Sequence, residues 1–260
     1  TENIYLKEVT GDLRLGHIQV ASVDRFAFLE MAVGNLGAIL DGNGAALNLS
    51  ASSARLIAPG GVGDSATTLS DALETSVTNF EAHAIAGNIW VINSGHLKIG
   101  GVTPGADTGM TAGGAVDIVA SSPITVTTDM IATGAINLRA YDDGPIDVLT
   151  INPNVRVEST TSSVTLQGGD AVMLTAGSIL KAATQVNIRL DCTNTATNPV
   201  CVNGDSEGGR LDLLGQIYAP EIHITGDTDN DVVYIDSQIP LVHTIFQGGA
   251  GDDTITLHQL

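Results

Sequence analysis

Short alternating runs recur along this chain at a nearly regular distance, and this constrains its fold more than any single motif does. GDLRLGHIQV, AALNLSA, GNIWVIN, HLKIGG, AVDIVA, PITVTT, AINLRA, SSVTLQG, AVMLTA, QVNIRLD, GRLDLLG and EIHITG alternate apolar and polar residues, and Gly, Asn, Asp, Ser or Pro bounds most of them. A period of two marks a strand with one buried face. GAVDIVA and GAINLRA begin at Gly114 and Gly134, 20 residues apart. QVNIRLD and GRLDLLG begin at Gln185 and Gly209, 24 apart, and GDTDNDVVYID overlays GGAGDDTITL with Asp231 on Asp253, 22 apart. Two or three short strands in every 20–25 residues predict an all-β solenoid, in which each coil covers the apolar edge of the one before.

Composition agrees with a thin, repetitive interior. The chain is 43% hydrophobic but only 3% aromatic, and it carries 30 glycines. A broad core or a substrate pocket uses more Phe, Tyr and Trp than this. A compact antiparallel sandwich is the competing architecture, but its hairpin dipeptides and aromatic anchors are scarce here. LSDALETSVTNFEAHA is ambiguous: Leu69, Leu73, Val77, Phe80 and Ala84 fall at helical spacing. Its Thr content and the strong strand NIWVIN that follows favour two strands, with Leu73, Thr75 and Val77 on one face, over a short packed helix.

Ten basic residues face 29 acidic ones, a formal net charge of -19. That balance repels phosphate backbones and anionic lipid, so nucleic acid and membrane surfaces are poor partners and cations are natural ones; added solubility is the plainer explanation. No apolar run reaches the roughly 20 residues that span a bilayer, so no membrane insertion is expected. The chain opens inside the strand-like NIYLKEV and stops just after TITL, which reads as a segment of a longer parent.

Cys192 and Cys201 flank eight polar, turn-forming residues in DCTNTATNPVC. This reads as a surface loop pinned by a disulfide, a closure that contributes roughly 2–3 kcal/mol and implies an oxidising or extracellular setting. Two unrelated thiols are the alternative.

TGDLRLG, GAILDGNGAALNLSASSARLIAPGGVGD, LETSVTNFEAHAIAGNIWVINSGHLKIGGV and GGAVDIVASSPITVTTDM resemble the repeats of very large bacterial surface proteins of the filamentous-haemagglutinin-like type, over about residues 1–140. The resemblance implies a right-handed parallel β-helix, export to the cell surface, and adhesive or architectural roles. GGAGDDTIT, residues 248–256, resembles the calcium repeat of RTX (hemolysin-type) proteins at every defined position, although a second clean copy is missing. The expected organisation is a β-helix over residues 1–225, continued by acidic RTX-like coils over 226–260.

A candidate calcium site follows from Asp227, Asp229 and Asp231, which alternate in GDTDNDVVYID, together with Asp252, Asp253, Gly249 and Gly251 one coil later. Calcium takes 6–8 oxygen ligands in flexible geometry, and stacked carboxylates repel unless a cation lies between them. An EF-hand does not fit: its glycine position holds Val232 and its twelfth holds Gln238. A solvated acidic turn is the structural alternative.

Other motifs carry less. GDSEGG places Ser206 in a G-x-S-x-G phrase, but no helix follows it as a nucleophile elbow requires. His17, His83, His96, His223, His243 and His258 show no zinc spacing. YDDGP pairs Asp142 with Asp143, as a carbohydrate-active β-helix enzyme would, yet the basic and aromatic residues of a sugar cleft are few. Asn43, Asn48, Asn88 and Asn93 sit near turns and suit amide ladders between coils. The expected function is therefore a non-catalytic structural or adhesive segment of a large secreted surface protein, partnered by neighbouring segments or copies and by a cell-surface or glycan ligand. A polysaccharide lyase or glycosidase, and a self-assembling filament subunit, are the competing readings.

Overall fold

The computed structural model describes residues 3–20, 24–63, 71–102, 109–121, 123–141, 147–195, 198–203, 208–236 and 243–258, with only the main chain described over 192–203. Among these residues the chain forms strands and no α-helix, in a sixteen-stranded sheet, a ten-stranded sheet and two two-stranded sheets, none closed into a barrel. The ambiguous stretch forms strands Leu73–Ser76 and Asn79–Ala84. Leu73, Thr75, Val77, Phe80, Ala82 and Ala84 are all buried as the alternation requires, and Glu81, on the opposite face, is buried as well.

Both large sheets are parallel, and the chain visits them in a fixed order. Val116–Ser121 lies in the ten-stranded sheet, Ile124–Val126 and Met130–Ala132 in two columns of the other, and Ile136–Tyr141 returns to stack on Val116–Ser121. The two columns converge on one six-residue strand: within Asn79–Ala84, Asn79 and Phe80 pair with Lys98 and Ile99, while Ala82 to Ala84 pair with Met110 to Ala112. Before that fork, Ile4–Glu8, Phe26–Met31 and Ser53–Ile57 stack as a single column.

The parallel register puts like on like. Leu13, Ile39, Val62, Ile89, Val116, Ile136, Val164, Val186 and Ile222 form one continuous ladder of paired positions. Leu97, Ile124, Leu149, Val172, Leu211, Val233 and Ile255 form a second. Neighbouring strands lie about 4.8 Å apart, so aliphatic side chains repeat face to face and fill a narrow interior without aromatic rings. Among the described residues Phe80 is the one aromatic that is fully buried, and it lies in the strand where the column forks.

Circuit lengths vary more than the expected 20–25 residues. Val116 stacks on Ile136, Leu73 on Val91, and Ile18 on Leu49, offsets of 20, 18 and 31. The spacing of 24 between Gln185 and Gly209 is not a circuit: Gln185 stacks on Glu221, and Arg210 stacks on Ala171 in the other sheet. Two strands of similar composition were aligned there across a boundary between columns. The excess comes from an antiparallel hairpin, Cys192–Thr195 with Asn198–Asn203, inserted between the columns. The hairpin pairs Cys192 with Asn203, which leaves Cys201 at a diagonal register position; their side chains, and hence the expected disulfide, lie outside the described residues.

Candidate metal centre

The acidic turns sit at the C-terminal end of the sixteen-stranded sheet, where Val232–Ile235 stacks on Arg210–Leu213 and Thr254–Leu257 stacks on Val232–Ile235. That register places Asp231 over Gly209 and Asp253 over Asp231, one residue ahead of each strand. Both carboxylates turn back along the stack. Asp231 Oδ1 accepts the N–H of Gly209 at 2.9 Å and its Oδ2 accepts the N–H of Asp227 at 3.1 Å. Asp253 Oδ1 accepts the N–H of Asp231 at 3.1 Å.

The same device appears two circuits earlier, where Asp170 Oδ2 accepts the N–H of Asp147 at 2.6 Å. Asp147, Asp170, Gly209, Asp231 and Asp253 thus occupy one column position. The signal lies in the sequence as the Asp that opens DVLT, DAVML, DVVYI and DTITL, of which the repeat alignment joins only the last two. The turn glycines follow from this geometry. A Cβ on Gly226 would lie 1.7 Å from Asp231 Oδ2, and one on Gly248 would lie 1.9 Å from Asp253 Oδ2. Gly249 and Gly251 have φ of 94° and 112°, and a Cβ on either would collide with the carbonyl oxygen of Asp227 or Asp229.

Those contacts redistribute the expected calcium ligands. Asp231 is 1% exposed and both its oxygens serve the main chain, and the amide oxygen of Asn230 takes the N–H of Asp252 at 2.7 Å. Burial, opposed by those backbone hydrogen bonds and reinforced by Asp253 and Asp227, raises the Asp231 carboxyl above its ordinary value. Asp227 is raised by burial and then by the charge of Asp229. Asp229 Oδ2 is buried with no hydrogen-bond partner. Asp227 and Asp229 are therefore the acidic pair of this turn whose carboxylates the hydrogen bonds to Gly209, Asp227 N–H and Asp231 N–H do not engage. Among the described residues no three His, Cys, Asp or Glu side chains converge on one metal position.

Ser206, Asp142 and Asp143 lie outside the described residues. The asparagines act on the main chain more than on one another. Asn48, fully buried, accepts the N–H of Glu74 and donates to Leu15 O, Asp41 and Asn43, and Asn88 accepts the N–H of Ala115 at 2.8 Å. Beside Asn48, burial lifts the Glu74 carboxyl to about 7, a main-chain hydrogen bond opposes this, and Asp41 adds to it.

Two groupings were not visible in the sequence. His223 and His243 flank Glu221, each 3.4 Å from one of its oxygens, because Glu221 and His243 fall at stacked positions. Arg139 bonds both carboxylate oxygens of Asp117 on the outer face of the ten-stranded sheet, where both are buried. Burial holds Asp117 above the usual carboxylate range despite that guanidinium. Strand Cys192–Thr195 of the hairpin lies against Ile136–Tyr141. Comparison with family models, with curated proteins and with solved structures gives no match to this chain.

Proposed function

We propose that the chain is a right-handed parallel β-helix serving as a non-catalytic, structural and adhesive segment of a large secreted bacterial surface protein. The continuous ladder from Leu13 to Ile222 carries this reading, because one shared core running through every circuit suits a stiff spacer. Right-handedness follows from the preference of parallel crossovers, about 98% of which have that hand. The strands Ile4–Glu8 and Thr254–Leu257 each pair on one side among the described residues, and these edges are where neighbouring segments of the parent or further copies would dock. Calcium, held by Asp227 and Asp229, would stiffen the terminal turns by cancelling their mutual repulsion.

Surface display tests the reading. Antibody against this chain should label intact cells of the source organism, and external protease should remove the signal. Labelling only after permeabilisation would overturn it. The calcium element has its own readout: the melting temperature should rise with millimolar calcium in a concentration-dependent way, and the rise should vanish in Asp229→Asn.

A further inference from the structure

Three of the chain's few aromatic side chains stand together outside the core. Tyr5 meets Phe26 edge to face at a centroid distance of 5.2 Å and Phe28 at 6.0 Å. The register sets Tyr5 across from Phe28 and Phe28 across from Arg55, and the Arg55 guanidinium lies 5.9 Å from the centre of the Phe28 ring. Ala27 and Leu29, which alternate with them, are fully buried, so Phe26 and Phe28 project from the outer face. Tyr5 is 68% exposed. A chain with four Phe, four Tyr and one Trp thus places a third of them where the core makes no use of them.

Polar groups frame the rings. Lys7 pairs with Glu30 at 2.7 Å on one side, and Asn79 donates to the Ser53 hydroxyl at 3.0 Å on the other. Ser53 lies across from Phe26 in the sheet. We propose that this face is a binding platform for a neutral pyranose sugar, the ring's C–H face stacked on the exposed Tyr5 ring beside Phe28, which stands at 73° to it, and its hydroxyls bonded by Lys7, Glu30, Arg55 and Ser53. The proposal rests on the adhesive reading and gives it a ligand class and a place.

Size and charge select this occupant. With Phe26 and Phe28 half-buried and only Tyr5 widely exposed, the rings offer far less than the about 800 Å² per partner that a stable protein interface buries, an area closer to one face of a sugar ring. The rim combines cations with an anion, while the chain as a whole carries -19 and repels acidic glycans at long range. Aromatic stacking with a few placed polar groups is a recognised way to hold a small, hydroxyl-rich ligand.

The test uses the full chain and methyl pyranosides of glucose, galactose and mannose, followed by saturation-transfer NMR and calorimetry. Transfer to ring C–H protons of at least one sugar is expected, weakened roughly five- to tenfold by Tyr5→Ala and retained in Tyr5→Phe. Tyr218→Ala, at an exposed tyrosine in another column, should leave binding unchanged. No transfer from any neutral sugar, transfer indifferent to Tyr5→Ala, or a dimer dissolved by Tyr5→Ala would each overturn the platform. Surface labelling of cells together with a negative NMR result would sink the platform and leave the display reading standing; the reverse pair of results would do the opposite.

Discussion

The main-chain N–H of Asp231 donates to the carboxylate of Asp253, at 3.1 Å and one full circuit away. The acidic residues of these turns thus act on the backbone of the preceding circuit. In that arrangement the carboxylate satisfies a buried donor that would otherwise be left unpaired by the turn.

Asp231→Asn should accordingly destabilise the C-terminal circuits by about 1–3 kcal/mol even without metal, since an amide offers one acceptor where the carboxylate offers two and turns an NH₂ toward a donor. Hydrogen exchange resolves this, with the amides of Gly209 and Asp227 losing protection first. Unchanged protection at both would contradict the geometry.

Gly226→Ala should be worse than an ordinary glycine replacement, because its Cβ would stand 1.7 Å from Asp231 Oδ2. A loss above about 2 kcal/mol is expected in denaturant titration. Combining it with Asp231→Ala should recover part of that loss, and strictly additive effects would show that the clash is not the cause.

Ile136→Ala, in the middle of the first ladder and fully buried, should cost about 2–5 kcal/mol. The vacated space lies between Val116 and Val164, whose strands are held by main-chain hydrogen bonds and have little room to collapse. Ile136→Val should cost only about 0.5–1.5 kcal/mol. Equal losses in the two variants would argue against a tightly packed ladder.

Arg139→Met should destabilise by about 3–5 kcal/mol at neutral pH, because it strands the buried Asp117 carboxylate. The double variant with Asp117→Leu should recover most of the loss. Lowering the pH should also rescue the single variant, since a protonated Asp117 no longer demands a counter-charge. A loss that is flat with pH would place the damage in packing.

Glu74 gives the opposite slope to an ordinary paired carboxylate. Its folded-state pKa lies above the ordinary value of 4.5, at about 7, so the folded chain holds the proton more tightly than the unfolded one. The stabilising proton is in place below about pH 4.5, and its contribution is lost as pH rises toward 7. Glu74→Gln should remove that decline, leaving the variant more stable than the parent at pH 8 by up to about 1 kcal/mol once solvent screening is counted. Melting curves between pH 4 and 8 measure it; parallel curves for the two proteins would contradict the assignment.

Alternation and aliphatic composition made the parallel strands legible, because a position that stacks on its own kind must repeat its own chemistry. The Gly114 and Gly134 pair and the Asp231 and Asp253 pair were read correctly for that reason. Gln185 and Gly209 were not: a period of two identifies a strand but says nothing about which column it joins, and the inserted hairpin hid the count. The candidate site was partly legible. Asp227, Asp229, Asp231 and Asp253 were seen to gather, but the direction in which each carboxylate points depends on main-chain N–H groups that carry no sequence signature. The Glu221 and His243 contact and the Tyr5 and Phe28 contact depend on register between circuits of unequal length, which no local pattern encodes.

Unequal circuits have a mechanical corollary. The ladder hydrogen bonds run along the stack, so tension applied between its two ends loads one row of bonds at a time and peels the chain circuit by circuit. Each rupture pays out the whole of one circuit, from 18 residues between Leu73 and Val91 to 39 between Ala171 and Arg210, or roughly 60 to 130 Å of extended chain. Pulled in this direction the molecule is a spool with uneven turns, yielding a sequence of extension steps whose order identifies which end has begun to unwind.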